Sequence, residues 1–99
     1  MNNACYITTG TQDAVPYALQ LMLWRMAEDA SLYTDLDRLQ IFELRAVTVE
    51  DVPTQEVIHF QEQPEYHGTL TFPFETPITE TLCIINKGKI SAMLLSSEK

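Results

Sequence analysis

Between Ala46 and Asn86 the chain has no lysine and no arginine. Seven acidic residues fall in that span: Glu50, Asp51, Glu56, Glu62, Glu65, Glu75 and Glu80. A protein that tracks a phosphate backbone needs a stripe of cations, so the gap argues against nucleic acid as a ligand. The formal net charge is −8. Such an excess gives a solvated acidic surface, or a negative face that attracts a basic partner or mimics an anionic one.

Glycine and cysteine are scarce too. Gly10, Gly68 and Gly88 are the only glycines and stand too far apart for a phosphate-cradling loop. Cys5 and Cys83 are the only cysteines, with no Cys-x-x-Cys pair and no neighbouring cation to depress a thiol pKa. The first residues carry no basic leader, so two reduced, partly buried thiols in a cytoplasmic protein are expected. Cys5 faces Cys83 if the first strand lies beside the C-terminal hairpin. No apolar run approaches the ~20 residues of a membrane span. A nucleophile elbow is also lacking, and no cofactor is expected.

What is present reads as one globular domain. Ninety-nine residues leave no room for a second core, and a hydrophobic content of 45% is too high for disorder. Val15, Leu19, Met22, Leu23, Met26 and Ala30 recur at helical spacing, predicting a helix over 16–31 with Pro16 in its first turn and Thr11 or Asp13 as cap. Residues 5–9 read as a first strand closed by Gly10. Residues 39–49 alternate, with Phe42, Leu44 and Ala46 on one side and Glu43 and Arg45 on the other. An acidic turn at 50–53 precedes a strand over 56–62, read with Ile58 and Phe60 inward and Val57, His59 and Gln61 outward. Pro73 demotes the strand after Gly68 to an edge or makes it irregular. Residues 81–85 are apolar on both faces, as in a central strand, and 89–95 return as their hairpin partner. The expected fold is α+β: one long N-terminal helix packed on an antiparallel sheet of five or six strands.

Three groups of residues resemble a known family. They are Tyr6-Ile7-Thr8-Thr9-Gly10 before a helix holding Trp24; Leu39-Gln40-Ile41-Phe42-Glu43-Leu44 followed by Val57-Ile58-His59-Phe60-Gln61-Glu62 with Pro64 and Tyr66; and Met93-Leu94-Leu95 with Glu98. The chain is similar over nearly its whole length to small uncharacterised proteins of Gram-positive bacteria and their mobile elements, catalogued as domain of unknown function 960. Residues 68–80 do not map onto that pattern. The resemblance implies a shared single-domain fold and no assigned activity.

Two sets of side chains invite a functional reading. Tyr17, Leu21 and Trp24 sit at i, i+4 and i+7 on the back of the helix, where they form a contact ridge flanked by Arg25 and Glu28 unless sheet covers them. Glu43, Arg45, His59 and Gln61 are placed together on the outward face of two paired strands, as a polar site. His59, Glu62 and His67, with Glu43 and Glu65 nearby, have the chemistry for zinc or acid–base work, but their spacing matches no metal motif and no metal is expected. Among so many carboxylates each histidine is expected to have a raised pKa. The leading reading is a small acidic non-enzymatic protein–protein interaction module, a homo-oligomer such as a two-fold dimer or an adaptor for another protein. The alternatives are a small enzyme or ligand-binding protein at Glu43, Arg45, His59 and Gln61, and an acidic inhibitor that mimics nucleic acid.

Overall fold

Strand outweighs helix in the computed structural model, which describes residues 4–99. Residues 1–3, part of the stretch read above for a leader, lie outside the described residues. The elements are β1 (Ala4–Ile7), α1 (Thr9–Ala14), α2 (Tyr17–Ala30), β2 (Leu39–Val49), β3 (Val52–Glu62), β4 (Glu65–Pro73), β5 (Glu80–Lys87), β6 (Ile90–Leu95) and a short 3₁₀ turn, η1 (Ser96–Glu98). All six strands join one sheet in the order β1-β6-β5-β2-β3-β4. The run β5-β2-β3-β4 is a Greek key: three hairpin-connected strands, then a fourth that returns beside the first.

The expected architecture is corrected in two respects. The sheet is mixed, because β1 pairs parallel with β6, Ala4 opposite Ile90 and Ile7 opposite Met93. A short helix, α1, stands where the end of the first strand and the cap of the main helix are expected, and the helix expected over 16–31 is α2 alone, with Pro16 as its N-cap. Val15 is held extended (φ −117°, ψ 118°) before Pro16, a residue that disfavours helix at the position preceding it. It separates the six-residue α1, capped by Thr8 Oγ1 accepting from Thr11 N at 3.1 Å, from the fourteen-residue α2.

Local chemistry sets the turns. Glu50 and Asp51 take left-handed φ values of 50° and 67°, which closes the β2–β3 hairpin in two residues and pairs Val49 with Val52. Gly88 supplies the positive φ (61°) in the β5–β6 turn at no steric cost. Pro53 therefore lies inside β3, near its start, and Pro73 ends the edge strand β4.

The core is built from one side of α2 and one face of the sheet. Val15, Leu19, Leu23 and Ala27 meet Phe42, Leu44, Val57, Leu82, Ile84 and Met93. Ala27 takes the centre of the helical stripe, while Met22, expected inward, is part-exposed on its flank and Met26 is part-buried against the cluster. The chain ends are tied together. Glu98 Oε1 accepts from Thr8 Oγ1 at 2.7 Å and from Leu95 N at 2.9 Å. A Cβ on Gly10 would stand 2.6 Å from Glu98 Oε2, so glycine there admits the carboxylate to the first turn of α1. The Thr8–Gly10 and Glu98 segments of the resemblance meet at this point.

Candidate functional site

The sequence places glutamine and histidine in β2 and β3 where apolar residues would be expected, and the fold buries them. Phe42 stands opposite His59 and Leu44 opposite Val57, so the core-facing row of β3 is Gln55, Val57, His59 and Gln61. This reverses the expected facing: Ile58 and Phe60 point to the other side of the sheet. His59 is 1% exposed, stacked on Phe42 with ring centroids 4.3 Å apart and edge-on to Tyr66 at 5.5 Å.

These buried polar groups satisfy one another. Gln40 Nε2 donates to Gln61 Oε1 at 2.5 Å and to the Asp37 carbonyl at 3.1 Å. Gln61 Oε1 also accepts from Asp37 N at 3.1 Å, while its Nε2 donates to the carbonyls of Asp35 and Pro64 at 2.9 and 2.7 Å. With both hydrogens of its amide committed, Gln40 offers only Oε1 to His59, 2.7 Å away, so the neutral imidazole carries its proton on Nε2. Gln55 plays a similar part at the far end, donating to Ile78 O at 3.0 Å and accepting from Ile78 N at 2.8 Å, which pins the β4–β5 connection. No buried side-chain nitrogen or oxygen is left unsatisfied among the described residues. Such a closed network holds a fold in register.

The proposed polar site is thus divided by the sheet. His59 and Gln61 are buried on the helix side, and Glu43 and Arg45 lie on the opposite face, where Arg45 pairs with Glu43 at 3.3 Å and Glu56 at 3.8 Å. The expected rise in pKa is also overturned for His59. Burial, with no compensating carboxylate bond, holds its imidazole down at about 4, from an ordinary 6.5. Cys5 and Cys83 do not face each other either. Cys5 is level with Ser91 on the helix side, Cys83 is level with Leu94 on the other, and β6 runs between them. Burial pushes the Cys83 thiol up, against a smaller opposing pull from Lys99. Among the described residues, no three His, Cys, Asp or Glu side chains gather in a metal-binding arrangement.

On the back of α2, Tyr17 and Leu21 are 71% and 51% exposed. Trp24 differs, being part-buried against the core cluster. Trp24→Ala is accordingly expected to lower the unfolding free energy by about 2 kcal/mol, below the range for a fully buried tryptophan. Urea denaturation checks this: a change under about 0.5 kcal/mol, as for an ordinary surface substitution, would place the indole outside the core.

The sequence reading did not single out the surface on the other side of the sheet. Leu39 and Ile41 on β2, Ile58 and Phe60 on β3, Ile85 on β5 and Ala92 on β6 share that face with Cys83 and Leu94. Outside the core cluster that α2 covers, Leu39, Ile41, Ile58, Phe60, Ile85 and Ala92 are part-exposed, while Cys83 and Leu94 are 2% and 9% exposed. Tyr6 and Ile90 continue the band and are 57% and 50% exposed. The signal for it was the apolar character of both faces of β5. Its edges are charged: Glu43, Glu62, Glu65 and His67 rim a hollow of about 570 Å³ floored by Ile58 and Phe60, while Lys87 and Lys89 stand at the β5–β6 turn. No helix among the described residues is long and apolar enough to cross a membrane.

Comparison with known proteins bears on the fold. The signature of a family described as "Staphylococcal protein of unknown function (DUF960)" matches residues 4–98. A crystal structure of a protein of unknown function from Enterococcus faecalis superposes with a TM-score of 0.79 at 19% identity, covering 98% of this chain and 91% of the other. At that identity the likeness is one of fold alone. None of the curated proteins matches.

Proposed function

We propose that this chain, which belongs to the DUF960 family of staphylococcal proteins of unknown function, is a non-enzymatic protein–protein interaction module whose contact surface is the uncovered face of the sheet. The observation that carries the reading is the apolar band of Leu39, Ile41, Ile58, Phe60 and Ile85, which the α2 side of the molecule does not cover. Contiguous apolar surface of this kind on a small acidic protein marks an interaction site. The fitting partner presents an apolar surface with cations opposite Glu62 and Glu65 and acids opposite Lys87 and Lys89. Against an enzyme stands the division of Glu43 and Arg45 from His59 and Gln61 by the sheet.

The test places a photo-crosslinking residue at position 60, and separately at position 13 on the helix side, in the native cell. A discrete protein adduct from position 60, lost with Ile41→Lys and not seen from position 13, is the expected result. Adducts indifferent to Ile41→Lys, or none from position 60, would overturn the reading.

A further inference from the structure

The uncovered face is self-complementary about one particular two-fold axis. At one end of the sheet the β5–β6 turn carries Lys87 and Lys89, and the β3–β4 turn at the same end is flanked by Glu62 and Glu65. The two turns lie on either side of β2, whose first residue, Leu39, is level with Ile85 of β5. A two-fold axis lying between two stacked sheets, parallel to the strands and passing between β5 and β2, keeps the ends together and exchanges the sides. It sets β5 of one copy over β2 of the other, and β6 over β3.

That operation brings together groups that suit each other. Ile85 meets Leu39 of the other copy, and the part-exposed Ile41 and Phe60 lie over the strands that carry Cys83 and Leu94, themselves only 2% and 9% exposed, at the ~10 Å spacing of packed sheets. The lysine turn of each copy lies over the glutamate turn of its mate, twice by symmetry. A two-fold axis perpendicular to the strands would instead carry each turn to the opposite end of the mate and leave these charges unmatched. The local pairing also answers the objection that two chains of net charge −8 repel.

We infer that the occupant of the uncovered face is a second copy of this chain, stacked sheet on sheet about a two-fold axis along the strands, with Lys87 and Lys89 of each copy over Glu62 and Glu65 of the other. This rests on reading the open face as a contact surface, and names its partner.

Sedimentation velocity on the full chain tests it. The wild type should sediment as a dimer of 11.3 kDa chains. Phe60→Lys should raise the dimer Kd at least about tenfold, as loss of a central aromatic anchor does. Two surface variants guard against misfolding as the explanation. Lys87→Glu with Lys89→Glu should dissociate the dimer by setting acid against acid, and Glu62→Lys with Glu65→Lys should do so by setting base against base. Mixed one to one, the two variants should re-form a dimer, because both junctions are then complementary. A wild type that stays monomeric at about 100 µM, far above the Kd of a specific complex, overturns the inference. So does a dimer indifferent to all three variants, or variants that fail to cross-complement. The interaction-module reading fails separately: a monomeric wild type whose position-60 adducts to another protein persist sinks only the self-association.

Discussion

Gln40→Leu is expected to lower the unfolding free energy by about 3 kcal/mol, close to half of what a marginal domain of this size possesses. Leucine matches the volume of the glutamine but carries neither its donor nor its acceptor. His59 Nε2–H, 2.7 Å from Gln40 Oε1, then has no partner in a site that is 1% exposed. Gln61 Oε1 loses one of its two donors, and the Asp37 carbonyl keeps only the weaker contact from Asn86 Nδ2 at 3.2 Å. An orphaned buried donor costs about 1–3 kcal/mol, and the remaining lost bonds add to it. Urea denaturation reads the effect as a shifted midpoint at constant slope. A companion variant separates polar satisfaction from packing. Adding His59→Phe to Gln40→Leu removes the orphan and keeps an aromatic ring on Phe42, so at least half of the loss should return. If the double variant is as unstable as the single, the network is not what holds this part of the sheet.

The burial of that network was partly legible. Phe42 and Leu44 face the core as their alternation suggests, and an antiparallel hairpin closed by two residues, or by four, pairs even positions of β2 with odd positions of β3. Val57, His59 and Gln61 therefore had to share the core side with Phe42, whatever their hydrophobicity suggested. Hydrophobicity alone points the other way, because Ile58 and Phe60 are the more apolar residues of that strand. A sheet with one face under a helix and the other apolar but uncovered does not let hydrophobicity decide, because both rows of β3 and β5 look fit for burial. What the residues could not display was mutual satisfaction: Gln40, His59 and Gln61 are tolerable inside only because each meets another's donor or acceptor.

Other features had weaker signals or none. The strand Leu39–Val49, the edge position of the strand that Pro73 ends, and the hairpin around Gly88 follow from alternation and turn chemistry. The parallel pairing of β1 with β6 does not. A four-residue strand has too short a pattern to specify a partner more than eighty positions away, and it is held there by contacts such as Thr8 N to Met93 O at 3.2 Å. The short helix Thr9–Ala14 has no such signal, because the β-branched run up to Thr9 and the glycine after it look like the end of a strand; Val15, extended before Pro16, separates it from α2. For the candidate contact surface, Tyr17 and Leu21 are exposed as their spacing suggested, while Trp24 at the end of the same ridge is drawn into the core.

Acidification should destabilise the protein through His59 before its carboxylates dominate. In the folded state the imidazole titrates near 4, and in the unfolded chain near 6.5. Above pH 6.5 the ring is neutral in both states and contributes no pH dependence. As the pH falls from 6.5 towards 4, the unfolded chain binds a proton that the folded one refuses, and stability drops. At roughly 1.4 kcal/mol per pH unit the loss approaches about 3 kcal/mol below pH 4, and is about 2.5 kcal/mol at pH 4.5. The groups around the ring do not offset this. Phe42 and Tyr66 are aromatic neighbours, Gln40 is neutral, and Asp29, which lines the same small hollow, is paired with Arg25 at 3.1 Å. Carboxylates titrate over part of the same range, so the quantity to measure is the difference in unfolding free energy between the wild type and His59→Phe. That variant leaves Gln40 Oε1 without its donor, a cost that does not vary with pH. The difference in favour of the wild type should shrink by about 2.5 kcal/mol between pH 7 and pH 4.5. A difference that stays constant across that interval would mean that the ring is charged in the folded protein, and that its burial is relieved by movements the native packing does not show.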